Sequence, residues 1–116
     1  MIELYVHQVP LKNRSPYLEN LYSSGYPVDD MVTMDNIINK YKRKHQPVKY
    51  GTSQEAHVLR LLRRVREGVL KPEDVRLFFY NPDSDTWDEN RVTEDGDLED
   101  SRVPGGFFDW RADELF

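Results

Sequence analysis

The stretch TSQEAHVLRLLRRVREG, Thr52 to Gly68, decides how the chain folds. Val58, Leu61, Leu62 and Val65 recur at three- and four-residue steps, so they share one face of a helix while Arg60, Arg63 and Arg64 project from the other. Thr52 or Ser53 supplies a cap and Gly68 a stop, which predicts a helix over about Gln54 to Glu67. Such a helix has one apolar stripe and must bury it against another layer.

The flanking residues supply that layer. Upstream, Pro47-Val48-Lys49-Tyr50 reads as a short strand left at Gly51. Downstream, Pro72-Glu73-Asp74 introduces Val75-Arg76-Leu77-Phe78-Phe79-Tyr80, dense enough in apolar residues for a buried strand. Asn81 to Asp85 is a turn, and Thr86 to Thr93 reads as the returning strand of a hairpin. Glu94-Asp95-Gly96-Asp97 is a second turn, and after Pro104-Gly105-Gly106 comes an aromatic tail ending in a helical turn with Ala112 and Leu115.

Towards the N-terminus, Ile2 to His7 alternates as a strand does. Ser15-Pro16 reads as a helix start, with Leu18, Leu21 and Tyr22 on one face until Gly25. Asp29 or Asp30 then caps a second helix carrying Met31, Met34, Ile37, Ile38 and Tyr41 at helical spacing. Its last turn holds Lys40, Lys42, Arg43 and Lys44, where cations complement the helix dipole.

The expectation is an α/β (or α+β) fold, a small single domain over 1–116, with three helices, a small mixed sheet and a C-terminal hairpin. Residues 1–45 form a strand plus two helices, and 46–116 a strand–helix–strand unit with an acidic hairpin and aromatic tail. Fourteen aromatics in 116 residues suffice for a core, which excludes wholesale disorder. The absence of cysteine removes disulfides, thiolate nucleophiles and Cys-based zinc sites, and three scattered histidines argue against a His-rich metal site. Apolar runs are far too short to span a bilayer and the N-terminus has no signal-peptide pattern, so the expected setting is soluble and cytoplasmic, without membrane contact.

Net charge is -5, but it is unevenly spread: residues 1–71 carry 12 Lys/Arg against 7 Asp/Glu, and residues 72–116 carry 4 against 14. The split suggests two surfaces of opposite sign; the other reading is that the two faces attract each other or are merely solvated. The basic one, Lys40, Lys42, Arg43 and Lys44 with Arg60, Arg63, Arg64 and Arg66, suits either a protein partner or phosphates if the two helices lie side by side. Phe107, Phe108 and Trp110 read as core packing or as an anchor for a partner.

No GxxxxGK[ST], GxGxxG or GxSxG pattern is present, so the chain has neither a phosphate-cradling loop nor a nucleophile elbow. Asp83, Asp85 and Asp88 lack the glycine and distal glutamate of a calcium loop and read as an acidic turn. His57, near Gln54 and Glu55, has no spaced nucleophile or second ligand and reads as a solvated or capping histidine rather than a general base. A non-enzyme with no cofactor is the expectation, with a third reading, a hydrolase or nuclease using scattered carboxylates, ranked last.

Arg63 to Gly68 followed by Pro72 to Val75, then Pro104-Gly105-Gly106-Phe107-Phe108-Asp109, in this order and spacing, resembles the C-terminal end of a family of AAA/ABC-type ATPases. These are RecF-like and OLD-like proteins with a short C-terminal domain of unknown function, many from bacterial anti-phage loci. The resemblance covers about residues 46–116. It implies a Thr-His-Ser segment whose histidine senses the γ-phosphate; the matching position here is Gln54, with His57 on a second, downstream histidine. The ATP-binding half of that family has no counterpart in residues 1–45, so the resemblance implies a shared fold fragment without ATP hydrolysis. The preferred reading is an accessory or regulatory protein whose partner is an ATPase or nuclease subunit of a defence or mobile-element system, with a nucleic-acid-binding module using the Lys40 to Lys44 and Arg60 to Arg66 clusters as the alternative.

Overall fold

Ile2, Leu4 and Val6 alternate with Glu3, Tyr5 and His7, and this period of two places the first three in the core and the others on the opposite side of a strand. The computed structural model describes residues 1–7, 19–21 and 26–99. Strand β1 (Ile2–Val6) lies at the centre of a sheet, between β3 (Val48–Thr52) and β4 (Val75–Asn81), and is parallel to both. A two-residue strand, β2 (Glu19–Asn20), extends the sheet beyond β3, and β5 (Thr86–Asn90) returns antiparallel beside β4. The sheet order is therefore β2-β3-β1-β4-β5, a mixed sheet in a small α/β unit.

Parallel strands need long crossovers, and helices supply them. Helix α1 (Pro27–Lys44) leads into β3, and α2 (Glu55–Arg66) carries the chain from β3 over β1 to β4. Both helices run opposite to the parallel strands, so they run parallel to each other. Contacts along their length confirm the alignment: Asp30 meets His57, Asp35 meets Arg64, and Lys42 reaches Val69 just beyond α2. Both helices pack on one face of the sheet. Met34 and Ile38 of α1, and Val58, Leu61, Leu62 and Val65 of α2, form one cluster with Ile2, Leu4, Val6, Val75, Leu77 and Phe79. Each such fully buried aliphatic side chain contributes roughly 1.5–3 kcal/mol relative to its exposed state.

The opposite face of the sheet is aromatic and charged. Tyr5 stacks on Phe78 with ring centres 4.7 Å apart, and Trp87 meets Tyr5 edge-on. Lys49 lies over the Tyr5 ring and Arg76 over Phe78. Arg76 also makes a two-pronged contact with Glu89 across the β4–β5 pair, at 3.0 and 2.9 Å.

Two α-helices, not three, are found among the described residues, with one short 3-10 turn over Pro72–Asp74. The helix expected to start at Ser15-Pro16 is contradicted where it is described: Glu19 and Asn20 pair with Tyr50 and Gly51, and the Leu21 amide donates to the Gly51 carbonyl. Three apolar positions ahead of Ser23-Ser24-Gly25 are too few to offset helix nucleation, and the free edge of β3 offers ladder bonds instead. The rest of that segment, and the tail with Ala112 and Leu115, lie outside the described residues.

Three boundaries differ in smaller ways. Helix α1 begins at Pro27, ahead of the Asp29 or Asp30 cap, because proline suits the first helical position; the Tyr26 carbonyl accepts from the Asp29 and Asp30 amides, which leaves both aspartates in the favourable first turn. Gly51 does not end β3 but lies within it, buried opposite Tyr5 of β1. The hairpin's returning strand stops at Asn90.

Candidate functional site

The basic residues can now be placed. With α1 and α2 side by side, Lys40, Lys42, Arg43 and Lys44 in the last turns of α1 come to the same end of the molecule as Arg63, Arg64 and Arg66. That end lies below the amino ends of the parallel strands, and the two helices lie side by side, which was the condition for a shared basic surface. They are not one uniform surface, however, because several of these cations are used within the fold.

Arg64 is the most committed. Its Nε and Nη2 reach both Asp35 oxygens at 3.0 Å each, and its Nη1 donates to Glu67 at 2.5 Å. These bonds to Asp35 first, and then to Glu67, hold the Arg64 guanidinium above its ordinary range. The same Arg64 bond, ahead of a weaker one from Arg63, holds the exposed Glu67 carboxyl below its own. Arg60 lies 3.9 Å from Asp35, Arg63 pairs with Glu67 at 3.4 Å, and Lys42 Nζ donates to the Val69 carbonyl at 2.9 Å. Lys40, Arg43, Lys44 and Arg66 are exposed and make no ion pair among the described residues.

The loop after β5 borders this end. Its Gly96, at φ +75, packs so closely on α2 that a Cβ there would sit 2.5 Å from the Leu62 carbonyl and 2.7 Å from Arg66 Cβ. Gly96, within the acidic turn Glu94 to Asp97, is thereby set against Arg66. The surface is a mixture of both signs, with four cations presented outward.

At the other end of the helix pair is a group that sequence reasoning misplaced. His57 is not solvated and caps nothing; it is fully buried, as are Thr52 and Asp30 at 1% and 2% exposure. Thr52, Val6 and Phe79 form one row across β3, β1 and β4, so the Thr52 hydroxyl reaches the underside of α2. It accepts from the Gln54 amide at 3.0 Å and lies 2.6 Å from His57 Nδ1, while His57 Nε2 lies 3.5 Å from Asp30 Oδ1. Thr52 was expected as a side-chain cap for α2, but Gln54 is the cap residue, without a side-chain bond, and Thr52 closes the strand. Burial pushes the His57 imidazole below its ordinary range, opposed by the Asp30 carboxylate.

A hydroxyl, an imidazole and a carboxylate in this order have the connectivity of a nucleophile, a base and its orienting acid. Here all three are enclosed by the core, and the hydroxyl is turned towards the histidine from inside the fold. As placed, the Thr52 hydroxyl bonds to His57 Nδ1, and His57 Nε2 faces Asp30 without a hydrogen bond, at the junction of α1, β3 and α2.

The remaining carboxylates are occupied in turns. Asp85 accepts from the Tyr80 hydroxyl at 2.5 Å, the Asn81 side chain accepts from the Asp83 amide, and Asp88 lies beside Asn81 and Thr86. No cluster among the described residues has three ligands suited to a metal ion. Phe107, Phe108 and Trp110 lie outside the described residues. No helix among the described residues is long and apolar enough to cross a membrane.

Comparison with family models, curated proteins and solved structures finds no match to this chain.

Proposed function

We propose that this chain is a non-enzymatic protein-binding accessory or regulatory subunit acting in the cytoplasm, its contact surface the basic end of the α1–α2 pair. The observation that carries this reading is the division of labour among the cations. Arg64, with Arg60 and Lys42, is held by groups of the fold, while Lys40, Arg43, Lys44 and Arg66 are presented outward from the rigid ends of two locked helices. The neighbouring Glu67, Glu94 and Asp95 make that surface one of mixed sign, which suits a protein carrying both charges. The resemblance of residues 46–116 to the C-terminal end of RecF/OLD-like ATPases points to an ATPase or nuclease component of a defence or mobile-element system as the partner.

The test uses the full chain as bait in extracts of its own host. One stoichiometric protein is expected with the wild type and is lost with the combined Lys40→Glu, Arg43→Glu, Lys44→Glu and Arg66→Glu reversal. Recovery of an unpartnered monomer sinks the reading.

The alternative is a nucleic-acid-binding module using the same cations. Four outward cations on adjacent helix ends favour it, and predict a salt slope of about -3.6, at about 0.9 per neutralised phosphate. The adjoining carboxylates oppose a polyanion, which is why it ranks second. A low-salt electrophoretic shift assay separates the two.

A further inference from the structure

The polar group buried between the helix starts has an internal logic that fixes its protonation. The Thr52 hydroxyl accepts the Gln54 N–H, and its own hydrogen then has His57 Nδ1, 2.6 Å away, as its acceptor. With the hydroxyl as the donor, Nδ1 carries a lone pair. The single proton of the neutral ring is then on Nε2, the nitrogen facing Asp30 Oδ1. Donors and acceptors are matched from Gln54 through Thr52 to His57 Nδ1, whereas Nε2, 3.5 Å from Asp30 Oδ1, has no hydrogen-bond partner; the Thr52–His57 match in this sense holds only while the imidazole is neutral.

We propose that His57 is an acid-sensitive latch: proton uptake at Nδ1 releases the first turns of α1 and α2 from the end of β3, while the opposite end of the helix pair stays docked. The proton comes from solvent and its new N–H bond uses the lone pair that accepted the Thr52 hydroxyl. That hydroxyl then loses its acceptor: its hydrogen must rotate to another group or stay unpaired in the core, and the contact survives only with its oxygen accepting from both the Gln54 N–H and Nδ1–H. Asp30, from α1, is the charged group that acts on the ring; β3 presents the uncharged Thr52, β1 and β4 present Val6 and Phe79 at the same level, and Glu55 is the nearest titratable neighbour along α2. In a core this dry, one carboxylate at 3.5 Å does not offset the loss of hydration of an imidazolium, the direction in which burial already pushes the ring. At the far end, Arg64 remains charged throughout and keeps its grip on Asp35.

The sign follows from linkage. A histidine whose folded value lies below its unfolded one, near 6.5, contributes stability that is present above that pH and is lost as pH falls towards the folded value. Because the ring bridges one end of the helix pair, the loss is local before it is global.

The test is made on the uniformly nitrogen-15-labelled full chain. Long-range nitrogen–proton spectra of the imidazoles are expected to show His57 protonated on Nε2 and bare on Nδ1 at pH 7.5, titrating below the unfolded value. Hydrogen exchange, corrected for intrinsic rates, is expected to show protection of the Gln54 and Asp30 amides falling by up to about tenfold per pH unit below pH 6.5, with Glu67 and Val69 unchanged over the same interval. In Thr52→Val, which keeps the shape but removes the hydroxyl, the His57 midpoint is expected to move up. An Nδ1–H tautomer, a wild-type midpoint at or above 6.5, equal loss of protection at both ends, or an unmoved midpoint in Thr52→Val would each overturn the latch.

Discussion

Asp35 of α1 and Arg64 of α2 face each other through two nitrogen–oxygen contacts of 3.0 Å each, one edge of the guanidinium matched to both carboxylate oxygens. The Arg64 and Asp35 side chains are 25% and 28% exposed, and the pair joins the helices midway along their length, between the Asp30–His57 contact and the Lys42–Val69 bond. A double-mutant cycle of Asp35→Ala and Arg64→Ala, followed by urea denaturation, is expected to give a coupling of about 1 kcal/mol, the upper part of the range for partly exposed pairs. Arg64→Lys keeps the charge but loses the fork, and is expected to recover less than half of it.

Gly96 and Gly68 have nearly the same backbone, at φ +75 and +78, but different surroundings. A Cβ at Gly68 meets nothing within 4 Å, so Gly68→Ala is expected to cost about 1 kcal/mol of backbone strain. Gly96→Ala adds a collision with the Leu62 carbonyl, a backbone atom that cannot swing away, and is expected to cost at least about 2 kcal/mol. Equal denaturation midpoints for the two variants would contradict the close packing of the loop on α2.

Met31 and Met34 both fit the apolar spacing of α1, yet Met34 is fully buried and Met31 only partly. Met34→Ala is expected to destabilise by about 2–5 kcal/mol and Met31→Ala by less than about 1, read from the same denaturation curves.

The Arg76 guanidinium beside Glu89 holds that carboxyl below the ordinary glutamate value. A depressed carboxyl contributes stability that is present above its unfolded value and lost as pH falls through the folded one. Carbon-13 titration of the side-chain carboxyl is expected to place Glu89 below an unstructured glutamate in the wild type, and to return it upward in Arg76→Ala.

The α2 helix and the strands around it were legible because their apolar positions are unambiguous: Val58, Leu61, Leu62 and Val65 admit one face, and Ile2, Leu4 and Val6 one side of a strand. The first expected helix failed because its few apolar residues carried no information about the free β3 edge that captures Glu19 and Asn20. The buried polar group was missed for a related reason. Asp30 stands one turn before Met34 and two before Ile38, and His57 one turn before Leu61 and two before Val65, so both extend a core stripe by a turn. Their polarity argued for the surface, and only the parallel docking of the helices, invisible in either stripe alone, brings the two together. The spacing was the available signal. The basic cluster was legible as composition, but which cations the fold consumes depended on Asp35 and Glu67, whose partners a linear reading does not assign.

The position of β1 has a consequence for how the chain reaches this state. Ile2 lies opposite Val48 and Val75, so the centre of the sheet closes only across more than seventy residues of intervening chain. Loops of that length make the search slow compared with helix formation. The amphipathic helices can therefore form and pair early, through Asp35 and Arg64, while the N-terminal strand waits unpaired with Ile2, Leu4 and Val6 open to water. A ribosome-bound chain ending anywhere before Val75 has half its central strand's hydrogen-bonding capacity unfilled, which makes the nascent protein the form most exposed to misassociation.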